Sequence, residues 1–515
     1  MPAGIAKLKS LRTLCFENMH EWQDWIPCKV EGEEFLCLRE LSISNCPKLG
    51  KFSYHLPSLE KLSIYACEHL VVSISSLLVL KEVKIVGCKE VVHGSVKVEK
   101  LIIENCKELT SLCQDWLMSL VTLEIKIKSC QSLVNIKLKS SLRTLIIKGC
   151  SALESLQFVV DEGGASSTTS SLMDEKNLSC IGKNNVSLLE HLEISNCPSL
   201  KCVSSIVDLA AMLKQLQIKE CPNLTSLSSR DTLPTNLKVL CVEHCPKLKS
   251  IVVKLHKDTL LEDLVIIRCE KLMCLPRGLH ELCHLKRIYI EGCNSLISVG
   301  ELAPTNLREL NITECEKLET LPNNMHKLNL LQLLFIRECP SIKSFPKEGF
   351  PTNLRELWLS GPNLCEQVFE LGLHRLTFLT FLWITNGIMD SFPEEENGKT
   401  MLMLPTSLTT LRFYNFPHLL FLSWKFFQNL SALEEIFIVA CPKLASLSEK
   451  CFPPSLQRLD ISSCPVLKQH CEKDKGIMWS KIAKIPSVRI SERSTSLPGT
   501  MLFRFIIFQF KNFYD

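Results

Sequence analysis

The sequence predicts an α/β solenoid, in which short strands of successive coils stack into one parallel sheet and turns carry the chain back. Three observations predict it. A nine-residue phrase, Leu41-Ser42-Ile43-Ser44-Asn45-Cys46-Pro47-Lys48-Leu49, recurs throughout the chain. Its period is regular: Cys197, Cys221, Cys245, Cys269, Cys293, Cys315 and Cys339 are separated by 24, 24, 24, 24, 22 and 24 residues. The phrase also alternates apolar and variable residues, the pattern of a strand buried on one face.

Written from Leu38, the pattern is LxxLxIxxC with a further leucine three residues on. Fifteen copies keep the cysteine, from Cys46 to Cys464, including a disturbed one at Ile125, Ile127 and Cys130. Four replace it, with Met19, Pro362, Gly387 and Phe416. About nineteen coils are therefore expected. A repeat of this length with leucine in these places is a leucine-rich repeat. The expected form is a horseshoe, with the parallel sheet on the concave side and loops and short helical turns on the convex side.

Each element has a physical reason. The strand is short because a Cys-Pro pair follows it at Pro47, Pro198, Pro222, Pro246, Pro340, Pro442 and Pro465, and proline removes a ladder donor. The return leg often closes on Pro-Thr-Asn-Leu, at 234–237, 304–307 and 351–354. One coil buries too few side chains to offset the entropy of ordering it, so only stacking makes the array stable. The repeated cysteine is read as structural, since a small apolar side chain with a weak S–H donor suits a buried turn.

The repeat array is expected over 1–470. Residues 161–185, containing GGASSTTSS, break the pattern and read as a flexible insertion loop. Residues 471–490 read as a C-terminal cap, with Trp479, Ile482 and Ile485 covering the last coil. Residues 491–515 form an atypical hydrophobic tail that fits no repeat.

Composition narrows the function classes. At 515 residues the chain is too long for one compact core. A net charge of +4 without any basic block gives no nucleic-acid footprint. No apolar run reaches the roughly 20 residues of a membrane helix; the richest, Leu502 to Phe510, contains Arg504 and Gln509. The 27 cysteines come without an N-terminal apolar h-region, so a reducing, cytoplasmic setting is expected.

No enzyme is expected. His280-Glu281-Leu282-Cys283-His284 matches the zinc-protease phrase HExxH. The repeat explains it better: Leu275 to His280 aligns with Leu321 to His326, where Lys327 and Leu330 replace Glu281 and His284. Leu279, Leu282 and Leu285 are then core positions. Gly398-Lys399-Thr400 resembles a P-loop end, but Pro393 stands where its glycine should be, and Glu394 to Glu396 would repel phosphate. No catalytic, cofactor-binding or metal-binding residue is assigned.

A binding surface is assigned. The residue between the two buried strand positions faces away from the core. In the later coils it reads Tyr289, Asn311, Phe335, Trp358, Trp383, Arg412, Phe437 and Asp460, whereas no aromatic precedes Tyr289 there. Arg337 and Tyr414 lie one alternation away on the same face. Exposed aromatics with arginine have the composition of binding hot spots. Tyr289, Phe335, Arg337, Trp358, Trp383, Arg412, Tyr414 and Phe437 are therefore the candidate protein-binding residues. Cover by an inserted segment or another domain of the same protein is the open alternative.

The LxxLxIxxCPxL copies, the PTNLREL segments and the closing Cys471–Pro486 stretch, CEKDKGIMWSKIAKIP, resemble the repeat region of plant intracellular coiled-coil nucleotide-binding leucine-rich-repeat disease resistance proteins. The resemblance covers about residues 10–490, and the closing stretch is its more specific part. It implies a recognition and autoinhibitory role in defense against pathogens. The implied partners are a pathogen effector, a guarded host protein or a nucleotide-binding domain of the same family. ATP or ADP would belong to such a domain and not to this chain, which begins inside the repeats as a fragment would. An inhibitor or adaptor scaffold without immune signalling is the alternative function.

Overall fold

A computed structural model describes residues 10–492, apart from 26–34, 53–55, 75–76, 78, 93–97, 113–123, 139–141, 159–186, 204–206, 208–209, 229–231, 303–305, 391–403, 424–426, 428, 448–451 and 473–475. The insertion at 161–185, the phosphate-loop look-alike at 398–400 and tail residues 493–515 lie outside the described residues. The chain divides into two units, Met1–Leu285 with Gly292–Leu296, and Lys286–Glu291 with Ile297–Asp515.

Unit 1 is a parallel ladder of five-residue strands. In chain order these are β1 (Thr13–Glu17), β2 (Glu40–Ser44), β3 (Lys61–Tyr65), β4 (Glu82–Val86), β5 (Lys100–Glu104) and β6 (Glu124–Lys128). They are followed by β7 (Thr144–Lys148), β8 (His191–Ser195), β9 (Gln215–Lys219), β10 (Val239–Glu243) and β11 (Asp263–Ile267). Every neighbouring pair is in register at the repeat position, as Leu41 beside Leu62 and Ile43 beside Ile64 show. β7 pairs directly with β8, Leu145 beside Leu192.

Unit 2 holds β12 (Arg287–Glu291), β13 (Glu309–Thr313), β14 (Leu333–Arg337), β15 (Glu356–Ser360) and β16 (Phe381–Thr385). Then come β17 (Thr410–Tyr414), β18 (Glu435–Val439), β19 (Arg458–Ser462) and β20 (Ser487–Ser491). All of these pair in parallel with their neighbours.

A strand forms at each of the nineteen repeat copies, and β20 adds one more within the stretch expected to be a cap. Ser487-Val488-Arg489-Ile490-Ser491 carries the same alternation with valine in place of leucine, and Leu459 pairs with Val488. Its apolar residues are only half buried. The cap residues Ile482 and Ile485 are buried ahead of it, and Trp479 is half buried.

The return legs are less helical than expected. In unit 1 they form small parallel ladders of their own, Lys51–Phe52 with Val71–Ser73 and Glu90–Val92, and Ser111–Leu112 with Asn135–Leu138 and Ser155–Phe158. Single helical turns appear at Leu279–Glu281 in unit 1 and at Met325–Lys327 and Leu373–Arg375 in unit 2. One longer helix, α1 (Pro362–Glu370), begins with proline at its first turn, where a missing N–H costs nothing.

The core is the leucine-isoleucine face, with Leu216, Ile218, Leu264 and Ile266 essentially inaccessible. Each strand is left through a residue in the left-handed region, for example Asn45 (φ 52°), Ala66 (φ 50°), Arg268 (φ 51°) and Ala440 (φ 55°). The turn aims that residue's N–H at the strand end of the next coil: Asn45 donates to Tyr65 O at 2.9 Å and Ala66 to Val86 O at 2.8 Å. The cysteine follows, and its Sγ donates back to the strand-ending carbonyl, Cys46 to Ser44 O and Cys464 to Ser462 O at 3.3 Å. Burial pushes the Cys67 and Cys221 thiols up to about 11 and Cys245 to about 12, so these groups stay protonated and unreactive at neutral pH. Where Pro362 replaces the cysteine, Cys365 on α1 serves instead, donating to Thr385 O at 3.2 Å.

Left-handed backbone costs a residue with a Cβ roughly 1–2 kcal/mol. Ala440→Gly and Ala66→Gly should therefore stabilise the chain, by up to about 1 kcal/mol each after the added unfolded-state entropy of glycine. Gly292→Ala should do the reverse, since its Cβ would lie 2.9 Å from Arg268 Cγ. Thermal melting checks both signs; equal melting points for all three variants would mean the turn is relaxed.

Candidate functional site

The sheet's second face, opposite the leucines, differs between the units. In unit 1 its early strands alternate open and buried positions, and the open ones carry paired charges. Lys126 meets Glu124 at 2.6 Å, Lys128 meets Glu104 at 3.1 Å and Lys148 meets Glu193 at 2.7 Å. Half-solvated pairs of this kind are worth little individually; on β10 and β11 the same face instead carries the buried apolar residues Val239, Cys241, Val265 and Ile267. The HExxH phrase is a turn with Leu279, Leu282 and Leu285 buried, and no group of three metal-ligating side chains occurs among the described residues.

In unit 2 the strand register builds one continuous row. Phe335 lies beside Trp358, Trp358 beside Trp383, Trp383 beside Arg412 and Arg412 beside Phe437. Trp358 and Trp383 have ring centroids 4.4 Å apart, and Phe335 and Trp358 are 5.3 Å apart. Tyr414 packs against this cluster. The Arg412 guanidinium lies over two rings, 4.1 Å from the centre of Phe437 and 5.3 Å from that of Phe381, in reach of cation–π attraction.

Two expected members stand apart. Tyr289 is separated from Phe335 by Asn311 in the register; its hydroxyl donates to Glu291 at 2.6 Å. Arg337 pairs with Glu338 at 2.8 Å. One participant was overlooked. Phe381, the first residue of β16, stacks on Trp358 at 4.5 Å. The alternation that places Tyr414 on this face places Phe381 there too, two residues before Trp383.

The aromatics do not stand exposed as expected. Phe335 and Trp358 are 4% accessible and Trp383 7%. The ladder spacing of about 4.8 Å sets each ring against the next, and flanking residues such as Leu333 and Phe381 close the sides. The row is thus a second packed layer, and its polar groups are confined.

Those polar groups are unequally satisfied. Trp358 Nε1 donates to Glu356 at 3.3 Å. Asp460 accepts from Ser462 at 2.9 Å and faces Arg458 at 3.6 Å and Arg489 at 4.0 Å. Trp383 Nε1 and Arg412 Nε are buried without any hydrogen-bond partner. Burial draws the Arg412 guanidinium below its ordinary pKa, opposed in part by Glu435; an arginine stays charged regardless, so the shift registers desolvation.

No family model matches the chain. A disease resistance protein of Arabidopsis thaliana is 37% identical over 147 residues, 28% of this chain and 10% of the relative. An RPP13-like disease resistance protein of the same plant is 44% identical over 61 residues, 12% of this chain and 6% of the relative. This chain is a leucine-rich-repeat protein similar to plant disease resistance proteins. The leucine-rich-repeat chain spans a tenth or less of the length of these two relatives. Among solved structures, a leucine-rich-repeat protein of Leptospira interrogans is 18% identical with a TM-score of 0.40, over 80% of this chain and 86% of that one. Among the described residues no helix is long and apolar enough to cross a membrane.

Proposed function

We propose that this chain is a non-enzymatic, cytoplasmic recognition scaffold acting in plant defense, with the Phe335–Phe437 row of unit 2 as its docking face. The observation that carries the reading is the row itself: packed aromatics beside a half-buried arginine whose Nε has no hydrogen-bond partner, the composition of a binding hot spot. The similarity to disease resistance proteins supports the defense setting. The partner is a protein: a pathogen effector, a guarded host protein or a nucleotide-binding domain. Phe335, Trp358, Trp383, Arg412, Tyr414 and Phe437 form the face, with Tyr289 and Arg337 at its margin. The chain itself holds no nucleotide, and any ATP or ADP belongs to a partner domain.

The test is genetic. Inactivating the gene in its source plant should remove resistance to at least one isolate in a panel of pathogens. The wild-type gene should restore it, and the combined Trp383→Phe and Arg412→Met variant should not. Unchanged resistance across the panel, or full restoration by the variant, would contradict the reading.

A further inference from the structure

Trp383 Nε1 and Arg412 Nε are both donors, and they belong to side chains adjacent in register. Two donors cannot satisfy one another. Three carboxylates of this face have other partners: Glu356 accepts from Trp358, Glu435 faces Arg458 at 3.9 Å, and Asp460 is held by Ser462, Arg458 and Arg489. A buried donor without an acceptor costs stability, so the missing group comes from outside the row.

Its chemistry is set by geometry. The rings of Phe381 and Phe437 lie over the Arg412 guanidinium, which leaves its edge as the approach for an acceptor. A guanidinium edge matches a planar carboxylate, which accepts two N–H bonds side by side. The half-buried rings of Tyr414 and Phe437, on the strands that carry and flank Arg412, favour an apolar group next to that carboxylate. We propose that this position receives an aspartate or glutamate side chain of a protein partner, flanked by an apolar residue, with Trp383 Nε1 and Arg412 as its donors. This rests on the reading of the row as a docking face and specifies what that face selects.

The experiment is a selection of randomised displayed peptides on the full chain, run in parallel on wild type, Trp383→Phe and Arg412→Met, each checked for folding by circular dichroism. Wild type should enrich peptides with an acidic residue at a fixed place beside an apolar one. Changing that residue to its amide should weaken binding about tenfold or more, the size of a charge-assisted hydrogen bond. Each variant should bind the same peptides about tenfold less well while keeping the wild-type circular dichroism spectrum. Peptides that depend on the row (lost in Trp358→Phe or Phe437→Leu) but show no acidic preference would overturn this inference and leave the docking face standing. If no enriched peptide depends on the row, both are overturned.

Discussion

Replacing Trp358 with alanine should destabilise unit 2 by about 3–5 kcal/mol, the range for removing a large buried aromatic. The ring is 4% accessible and touches Phe335, Phe381 and Trp383, so truncation leaves a cavity shared by three coils. Because each coil is held by its neighbours, melting should begin locally, with hydrogen exchange accelerated first in β14, β15 and β16. Trp358→Phe should retain most of the stability. A loss below about 1 kcal/mol for the alanine variant, the range of a surface change, would mean the ring faces water. The same burial makes alanine at Trp358 a poor probe of binding, since fold and function would fail together. Trp383→Phe keeps an aromatic ring in the row while removing the donor, and so disturbs the packing less than alanine does.

The second large effect is at Gly387. It occupies the repeat cysteine position, and the next coil has Phe416 there. A Cβ on Gly387 would overlap Phe416 Cε1 and lie 2.8 Å from Cδ1, and Phe416 is fully buried. The missing side chain of one coil is filled by the large one of the next. Gly387→Cys, although it restores the repeat phrase, should therefore destabilise by about 1–3 kcal/mol through overpacking. Phe416→Cys should cost about 3–5 kcal/mol by opening a cavity. Together they should cost clearly less than the two separately, with a coupling of about 0.5–3 kcal/mol. Additive losses in urea unfolding would show that the two positions are independent.

The leucine face was legible because both of its determinants are local: the two-residue alternation fixes which side chains share a face, and the period fixes where the next strand starts. Even the disturbed copy at Ile125 and Ile127 forms its strand in register with Leu101 and Ile103. β20 escaped notice because no cysteine follows Val488 and Ile490, although Val83 and Ile85 make the same pair in β4. The left-handed turn was also legible in part, since asparagine or glycine precedes the cysteine at Asn45, Gly87, Asn105 and Gly149, but Ala66 and Arg268 hide the rule.

The second face was legible only as a list of side chains. Alternation put Trp358 and Trp383 on it correctly, and would have put Phe381 there. Their burial was not readable, because it depends on how closely neighbouring coils bring large rings together. The same holds for Gly387 and Phe416, which read separately as two degenerate copies and together as one packed pair. Which donors lack acceptors depends on side-chain geometry, which no spacing encodes.

The central claim is that Trp383 and Arg412 donate to a carboxylate supplied by a partner. The direct measurement is the 15N–1H spectrum of the seven tryptophan indole groups in the full chain, with Trp383 assigned by its loss in Trp383→Phe, titrated with a selected acidic peptide. Binding should move the Trp383 resonance downfield as its N–H gains an acceptor, while Trp22 and Trp25, packed on each other in unit 1, stay still. A bound peptide that leaves the Trp383 resonance in place would contradict the account.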